Sequence, residues 1–252
     1  MALRVRRALY RGQIRLSVGE TTAIFVAENS DSVRMTIRRW QSERERLTDI
    51  LQELCAEDIF YDIGANTGLY TCFAAKQCSH IVAFEPHPQN FVELRQNASR
   101  NGGNVTVMDL ALSDTAGTVG LSLPSVDATH YPDGDSPGFG GAAITEETSD
   151  IEVDTVRGDQ LVDDGVIHSP NVIKIDVEGA EPKVIKGLTS ALRNPKCRFV
   201  DCEGHRAGKS SGSEAGGVDD AELVSQFEDL DFDDVYVVED LGSTFVVRAI
   251  RE

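Results

Sequence analysis

Apolar and polar positions along this chain follow two rhythms that take turns. Short β-prone runs are called as strands at Ile59–Ile63, Ile81–Glu85, Val105–Asp109, Val172–Asp176 and Arg198–Glu203, and a closing pair at Asp233–Val238 and Thr244–Ile250. Between them a helical spacing of apolar residues predicts helices over Leu69–Cys78, Pro88–Arg100, Ala180–Leu192 and Val218–Leu230. Strands that alternate with helices form a parallel sheet with crossover connections. The closing pair is joined by Glu239–Ser243, which reads as a hairpin loop, so one of those two strands runs antiparallel. The expected architecture is α/β, with seven strands, six parallel and one antiparallel, and helices on both faces. Residues 1–57 read as an extension to this 58–252 domain: a hairpin of Ile14–Val18 and Thr22–Ala27 across Gly19-Glu20, then one helix over Asp31–Leu54. In that helix Leu47, Ile50, Leu51 and Leu54 share a face and the charged run Gln41–Arg46 is expected in solvent. Two stretches lack any period. Residues 124–150 contain GDSPGFGGAA and read as a long mobile loop or lid; residues 206–217 (RAGKSSGSEAGG) leave the rim of the sheet, where a role in gating an acceptor and a plain surface loop are both open.

The segment IFYDIGANTGLYT, Ile59–Thr71, carries the first candidate chemistry. A strand runs into Asp62 and a glycine-rich turn, and a helix starts at Leu69. Glycine permits positive φ and close approach of the backbone, and the following helix offers unpaired N–H groups. The spacing is Asp62-x-Gly64-x-x-x-Gly68, with Asn66, tolerant of a left-handed turn, at the place of the middle glycine of G-x-G-x-x-G. A second strand ends in Glu85, 21 residues after Gly64. An acidic side chain there can accept both hydroxyls of an adenosine ribose.

The turn DIGANTG, the segment AFEPHP and the later IKIDVEGAE (Ile173–Glu181) resemble, in this order, the FkbM family of S-adenosylmethionine-dependent methyltransferases, from about Glu57 to Gly204. The resemblance implies a class I methyltransferase (Rossmann-like) sheet, S-adenosylmethionine as methyl donor, and methyl transfer to a hydroxyl of a sugar, glycan or small natural-product acceptor. Gly64, Asn66 and Gly68 would then give the methionine half of the donor access to backbone. Asp62 would fix the turn or accept from the donor's amino group, Glu85 would take the ribose, and Asp109, Ala111 and Leu112 would border the adenine. A nicotinamide-dependent oxidoreductase could share the glycine turn, but the full glycine fingerprint is missing. A non-catalytic binding module is opposed by the intact Asp62, Gly64, Gly68 and Glu85.

Methyl transfer needs an aligned acceptor oxygen, exclusion of water and a group that takes the acceptor's proton. Two neighbouring strand ends supply candidates: Lys174, Asp176, Glu178 and Glu181 in KIDVEGAE, and Asp201, Glu203 and His205 in VDCEGH. Asp176 is expected to organise acceptor or donor, with His205 or Glu203 as general base and Glu178 beside them. Alternatively Asp176, Glu178 and Glu203 chelate Mg²⁺; no fixed carboxylate spacing demands it, and no metal is expected. The glycine-rich insertion and the E-G-H ending depart from the family's pattern where the acceptor should sit.

A formal charge of −18 argues against binding nucleic acid. Six lysines stand against eighteen arginines. An acidic surface poor in lysine suits a protein working in very high salt, and an ordinary acidic enzyme fits as well. The one basic stretch, Arg4 to Arg15, is either a solvated helix or a weak contact to an anionic surface such as a lipid-linked substrate. Cys55, Cys72, Cys78, Cys197 and Cys202 form no C-x-x-C pair and read as free thiols of a reducing compartment, mostly buried. No signal peptide or spanning run is evident, so the expected location is cytoplasmic.

Overall fold

The computed structural model describes residues 12–27, 29–122, 143–145, 151–206 and 217–252. The basic residues 4–11, most of the 124–150 insertion and the 207–216 loop lie outside them. The chain opens with a hairpin, β1 (Gln13–Val18) and β2 (Thr21–Val26), followed by helices α1 (Ser30–Ser42) and α2 (Arg44–Glu53). The single helix expected over Asp31–Leu54 is thus two. It breaks where the Ser42 hydroxyl bonds back to the Arg39 carbonyl and Glu43 turns away to accept from the Tyr70 hydroxyl, at 2.7 Å.

The sheet then builds in the expected alternation: β3 (Ile59–Ile63), α3 (Leu69–Ala74), β4 (His80–Phe84), α4 (Pro88–Asn101) and β5 (Val105–Met108). A second, four-stranded sheet interrupts it, formed by β6 (Ala111–Leu112), β7 (Gly117–Ser122), β8 (Ala143–Thr145) and β9 (Ile151–Val156) in the order β6-β9-β7-β8. Part of the insertion expected to be only a loop therefore pairs as β8. The chain returns through α5 (Gly158–Asp163), β10 (Val172–Ile175), α6 (Glu181–Gly187), α7 (Thr189–Arg193), β11 (Phe199–His205), α8 (Asp220–Glu228), β12 (Asp234–Asp240) and β13 (Thr244–Ile250). The main sheet runs β12-β13-β11-β10-β3-β4-β5, and β13 is antiparallel to both neighbours. This is the six-parallel, one-antiparallel sheet read from the closing hairpin. The helix expected over Ala180–Leu192 splits at Leu188. Gly187 there lies so close to the second sheet that a Cβ on it would stand 2.0 Å from the Ser113 carbonyl oxygen.

Period-two alternation sorts the strand residues into two cores. Tyr61, Ile63, Val82, Ile173, Ile175, Val200 and Cys202 pack with α6, α7 and α8. Phe60, Ile81, Val172 and Phe199, on the other face, pack with Phe25, Trp40, Leu47 and Ile50 of the N-terminal segment and with Tyr70 and Phe73. The same alternation carried forward places Asp62, Lys174, Asp176, Asp201 and Glu203 further along this second face, so the N-terminal helices cover it at the level of the strand ends. The hairpin is fastened to α4 by side-chain amides: Ile24 N–H donates to Asn101 Oδ1 and Val26 N–H to Asn97 Oδ1, at 2.8 and 2.7 Å, and Asn101 Nδ2 donates to the Ile24 carbonyl. Cys55 is exposed, the other four cysteines are buried, and all five are free. Among the described residues no helix is long and apolar enough to cross a membrane.

Candidate active site

The crevice at the end of β3 is held by backbone. Gly64 N–H and Ala65 N–H both donate to the Phe84 carbonyl, at 3.0 and 2.9 Å, which ties the turn to the end of β4. Gly64, Asn66 and Gly68 all have positive φ, +76°, +53° and +89°. Gly64 has a second reason to be glycine: a Cβ there would lie 1.8 Å from the Asp176 carbonyl oxygen. The turn is pressed against the end of β10, so the residue expected to admit a ligand is demanded first by the neighbouring strand. Asp62 is fully buried; its Oδ2 accepts from Thr71 N–H and Oγ1, at 2.9 and 2.6 Å, fixing the start of α3. Its Oδ1 makes no hydrogen bond among the described residues and faces Lys174 Nζ at 3.7 Å.

Glu85 follows β4 and curls back over the turn. One carboxylate oxygen accepts from Asn66 N–H at 2.7 Å, the other from His87 N–H at 2.9 Å. Burial pushes this carboxyl above its ordinary value, and the two N–H donors oppose the shift. Asn90 Nδ2 reaches the His87-bonded oxygen as well, at 3.5 Å, so of the about four lone-pair sites the remaining accepting capacity lies mainly on the oxygen that meets Asn66. Asp109 is exposed, one residue past β5, in line with Glu85 by the pairing of Phe84 with Met108. Ala111 and Leu112 are buried in β6, and the Leu112 side chain packs in the main core with Leu161 and Leu188.

The second group of charges stands beside the first. Lys174, fully buried, lies 3.0 Å from Asp176 Oδ2 and 4.9 Å from the centre of the Tyr70 ring. Burial alone would raise the Asp176 carboxyl; Lys174 and Arg46 outweigh it and hold the group below its ordinary range. Glu178 takes a left-handed backbone conformation, φ +53°, and its Oε2 reaches His205 Nε2 at 3.2 Å. The other ring nitrogen, Nδ1, meets Glu181 Oε1 at 2.7 Å, and that oxygen also accepts from Gly179 N–H at 2.9 Å. Glu181 is wholly buried, and its second oxygen has no hydrogen-bond partner among the described residues. Burial, with Asp176 and Glu203 adding to it, pushes Glu178 up to about 7. Burial works to lower His205, but the hydrogen bond and charge of Glu181, then Glu178 and Asp176, lift it to about 9.

Glu203 does not join this cluster as a free group. Arg46, on α2, ion-pairs with both Asp201 and Glu203, and Arg248 adds a second contact to Asp201 at 3.0 Å. Both Glu203, through Arg46, and His205, through Glu178 and Glu181, are thus held in ion pairs. The Arg46 pairing also corrects the reading of Gln41–Arg46 as a solvated run: Arg46 is 8% exposed. The available signal was helical spacing, since Arg46 precedes Ile50 by four and so shares its face. The Asp176, Glu178 and His205 donor atoms converge within 4.8 Å of one another.

Over residues 62–233 the chain matches the methyltransferase FkbM domain. It is 30% identical to the hexuronic acid methyltransferase AglP of Haloferax volcanii over 92% of this chain and 95% of that protein. It is also 30% identical to the 31-O-demethyl-FK506 methyltransferase FkbM of Streptomyces tacrolimicus, over 61% of this chain and 67% of that one. Among solved structures, the FkbM methyltransferase of Methylobacillus flagellatus shares the fold with a TM-score of 0.51 at 14% identity, covering 77% of this chain, which spans 43% of that one. A glycine turn bound to the end of β4, a strand-end glutamate curled over it, and a family match that begins at Asp62 agree: the chain belongs to the FkbM family of methyltransferases, whose methyl donor is S-adenosylmethionine.

Proposed function

We propose that the protein methylates an oxygen of a sugar acceptor, a hydroxyl of a hexuronic acid carried in a glycan. One observation carries the reading: Gly64 lies in contact with the Asp176 carbonyl, so the donor turn and the Asp176–Glu178–His205 cluster form two halves of one crevice. The acceptor class is supported by the likeness to AglP, whose name states a hexuronic acid substrate, over nearly the whole of both chains.

The donor half fits the group that the family implies. Glu85 keeps accepting capacity on the oxygen that meets Asn66 for a ribose hydroxyl, and the buried Asp62 Oδ1, with no hydrogen bond among the described residues, offers an acceptor to an ammonium, directly or through water. S-adenosylmethionine supplies a methyl group already activated on a sulfonium. The chain's own residues do the rest. Glu85 and the turn fix the donor's position, while Asp176, with Lys174 holding one of its oxygens, orients the acceptor. As the acceptor oxygen bonds to carbon, its proton passes to the Glu178–His205 side of the crevice. A hydroxyl acceptor needs such a proton sink and a carboxylate acceptor does not, which favours the hydroxyl.

The test is product analysis with methyl-labelled S-adenosylmethionine and two sets of oligosaccharides, one bearing hexuronic acid and one neutral. Label should enter the uronic residue and survive mild alkali, as an ether does. Alkali-labile label would move the reaction to the carboxylate. Transfer to neutral sugars alone, or to none by protein shown to bind S-adenosylhomocysteine, would remove the acceptor class.

A further inference from the structure

We infer that Asp176, Glu178 and His205 form a site for one divalent first-row metal ion, held in the acceptor half of the crevice. The site's geometry stands by itself; its role in the reaction rests on the acceptor reading above.

The donors come from two neighbouring strand ends and the turn after one of them, and their ligand atoms lie within 4.8 Å of one another. Around an ion with bonds of ~2.1 Å, adjacent donors stand ~3 Å apart and opposite ones ~4.2 Å. His205 Nε2 and Glu178 Oε2 are at 3.2 Å, so small side-chain rotations bring all three to coordinating distance. A ligating histidine is normally fixed by a second carboxylate that takes its other ring N–H. Glu181 stands in that position: wholly buried, 2.7 Å from Nδ1, and itself anchored by Gly179 N–H. With Nδ1–H held by Glu181, loss of the other ring proton as an ion binds gives the cluster the Nε2 lone pair.

Charge gives an independent argument. Asp201 and Glu203 are met by Arg46 and Arg248, and Asp62 shares Lys174 with Asp176. Glu178 and Glu181 have only the imidazole between them among the described residues, and the second Glu181 oxygen is buried with no hydrogen bond. Buried carboxylates in excess of their cations are costly unless something positive joins them. The side chains of Asp176 and Glu178 are 16% and 31% exposed, so an ion can reach them and keep positions open for other oxygens. One imidazole nitrogen with two carboxylate oxygens suits an ion such as Mn²⁺ or Fe²⁺ better than Mg²⁺ or Ca²⁺, which prefer oxygen throughout. An ion there would hold two oxygens of the sugar and ease loss of the hydroxyl proton to a neighbouring carboxylate.

The probe is Mn²⁺ alone, titrated into the full chain and followed by electron paramagnetic resonance and calorimetry. One ion per chain is expected. Asp176→Asn and His205→Asn should each weaken it at least tenfold, and Glu181→Gln ~10–100-fold through the histidine it orients. S-adenosylhomocysteine binding by each variant serves as the check on folding. Failure of the wild-type chain to bind Mn²⁺ stoichiometrically overturns the site, as does binding that all three variants retain, which would place the ions on the acidic surface. Stoichiometric binding without methyl transfer to any glycan keeps the site and removes the acceptor reading. Transfer that proceeds unchanged under a chelator keeps the acceptor reading and removes the ion from the reaction.

Discussion

At the scale of single residues, Gly64 and Glu85 make separable predictions. Valine at Gly64 would drive its Cβ into the Asp176 carbonyl, 1.8 Å away, from a backbone with φ +76°. Gly64→Val should therefore cost folding stability, ~3 kcal/mol or more, in addition to donor affinity. A denaturation midpoint equal to that of the wild type would show that the strand end yields freely. On the proposed reading Glu85→Ala leaves the donor's hydroxyls unpaired, and it removes the partner of two backbone N–H groups. S-adenosylhomocysteine affinity should fall by ~1.5–3 kcal/mol, measured by calorimetry. The pH dependence has a definite sign. Burial raises the Glu85 carboxyl, and the form that accepts from a diol is the ionised one. Affinity is therefore full above the raised value and lost as pH falls through it, beginning at a higher pH than an ordinary carboxylate would give. The same shift makes ionised Glu85 a cost to the free fold at neutral pH, relieved on acidification. Affinity that stays flat across this range would take Glu85 out of the donor site.

At the scale of elements, α2 makes the least expected contribution. It brings Arg46 against Asp201 and Glu203, residues 155 and 157 positions later in the chain. Removing one partner of a buried ion pair leaves an uncompensated charge, so Arg46→Ala should destabilise the protein by ~3–5 kcal/mol. A loss under 1 kcal/mol in chemical denaturation would mean that water repairs the site. The sequence shows why such a contact is hard to foresee. Strands with a strong apolar run, Ile59–Ile63 or Thr244–Ile250, announce themselves locally, and the closing hairpin discloses the sheet's direction change. The sign of Glu85 was legible because a strand end and a glycine turn lie at a fixed spacing. Arg46 was not, since its helical face is local information but its partners are not. The small sheet escaped too: β6 has two residues, and the polar-apolar alternation of Ile151–Val156 points to a strand without naming β7 as its neighbour. His205 was legible as chemistry, but the company of Glu178 and Glu181 depends on how the turn after β10 folds back.

At the scale of the molecule, charge is the dominant quantity. A chain with net −18 repels itself, and exposed like charges are screened as ionic strength rises. The unfolding temperature should climb between ~0.1 M and molar KCl, where the Debye length shrinks from ~10 to ~3 Å. A flat curve would leave the acidic surface unrelated to salt. Burial protects the Arg46 pairs from this screening, so Arg46→Ala should lose about as much stability in molar KCl as in dilute buffer.

The asparagine clasp between α4 and β2 has a consequence for solubility. A two-stranded ribbon ordinarily presents a free edge, and free edges recruit strands from other chains. Here the outward N–H groups of Ile24 and Val26 are already taken by Asn101 and Asn97. On its β2 side the ribbon therefore ends in side-chain amides instead of a template, and replacing both asparagines by alanine would open that edge to self-association.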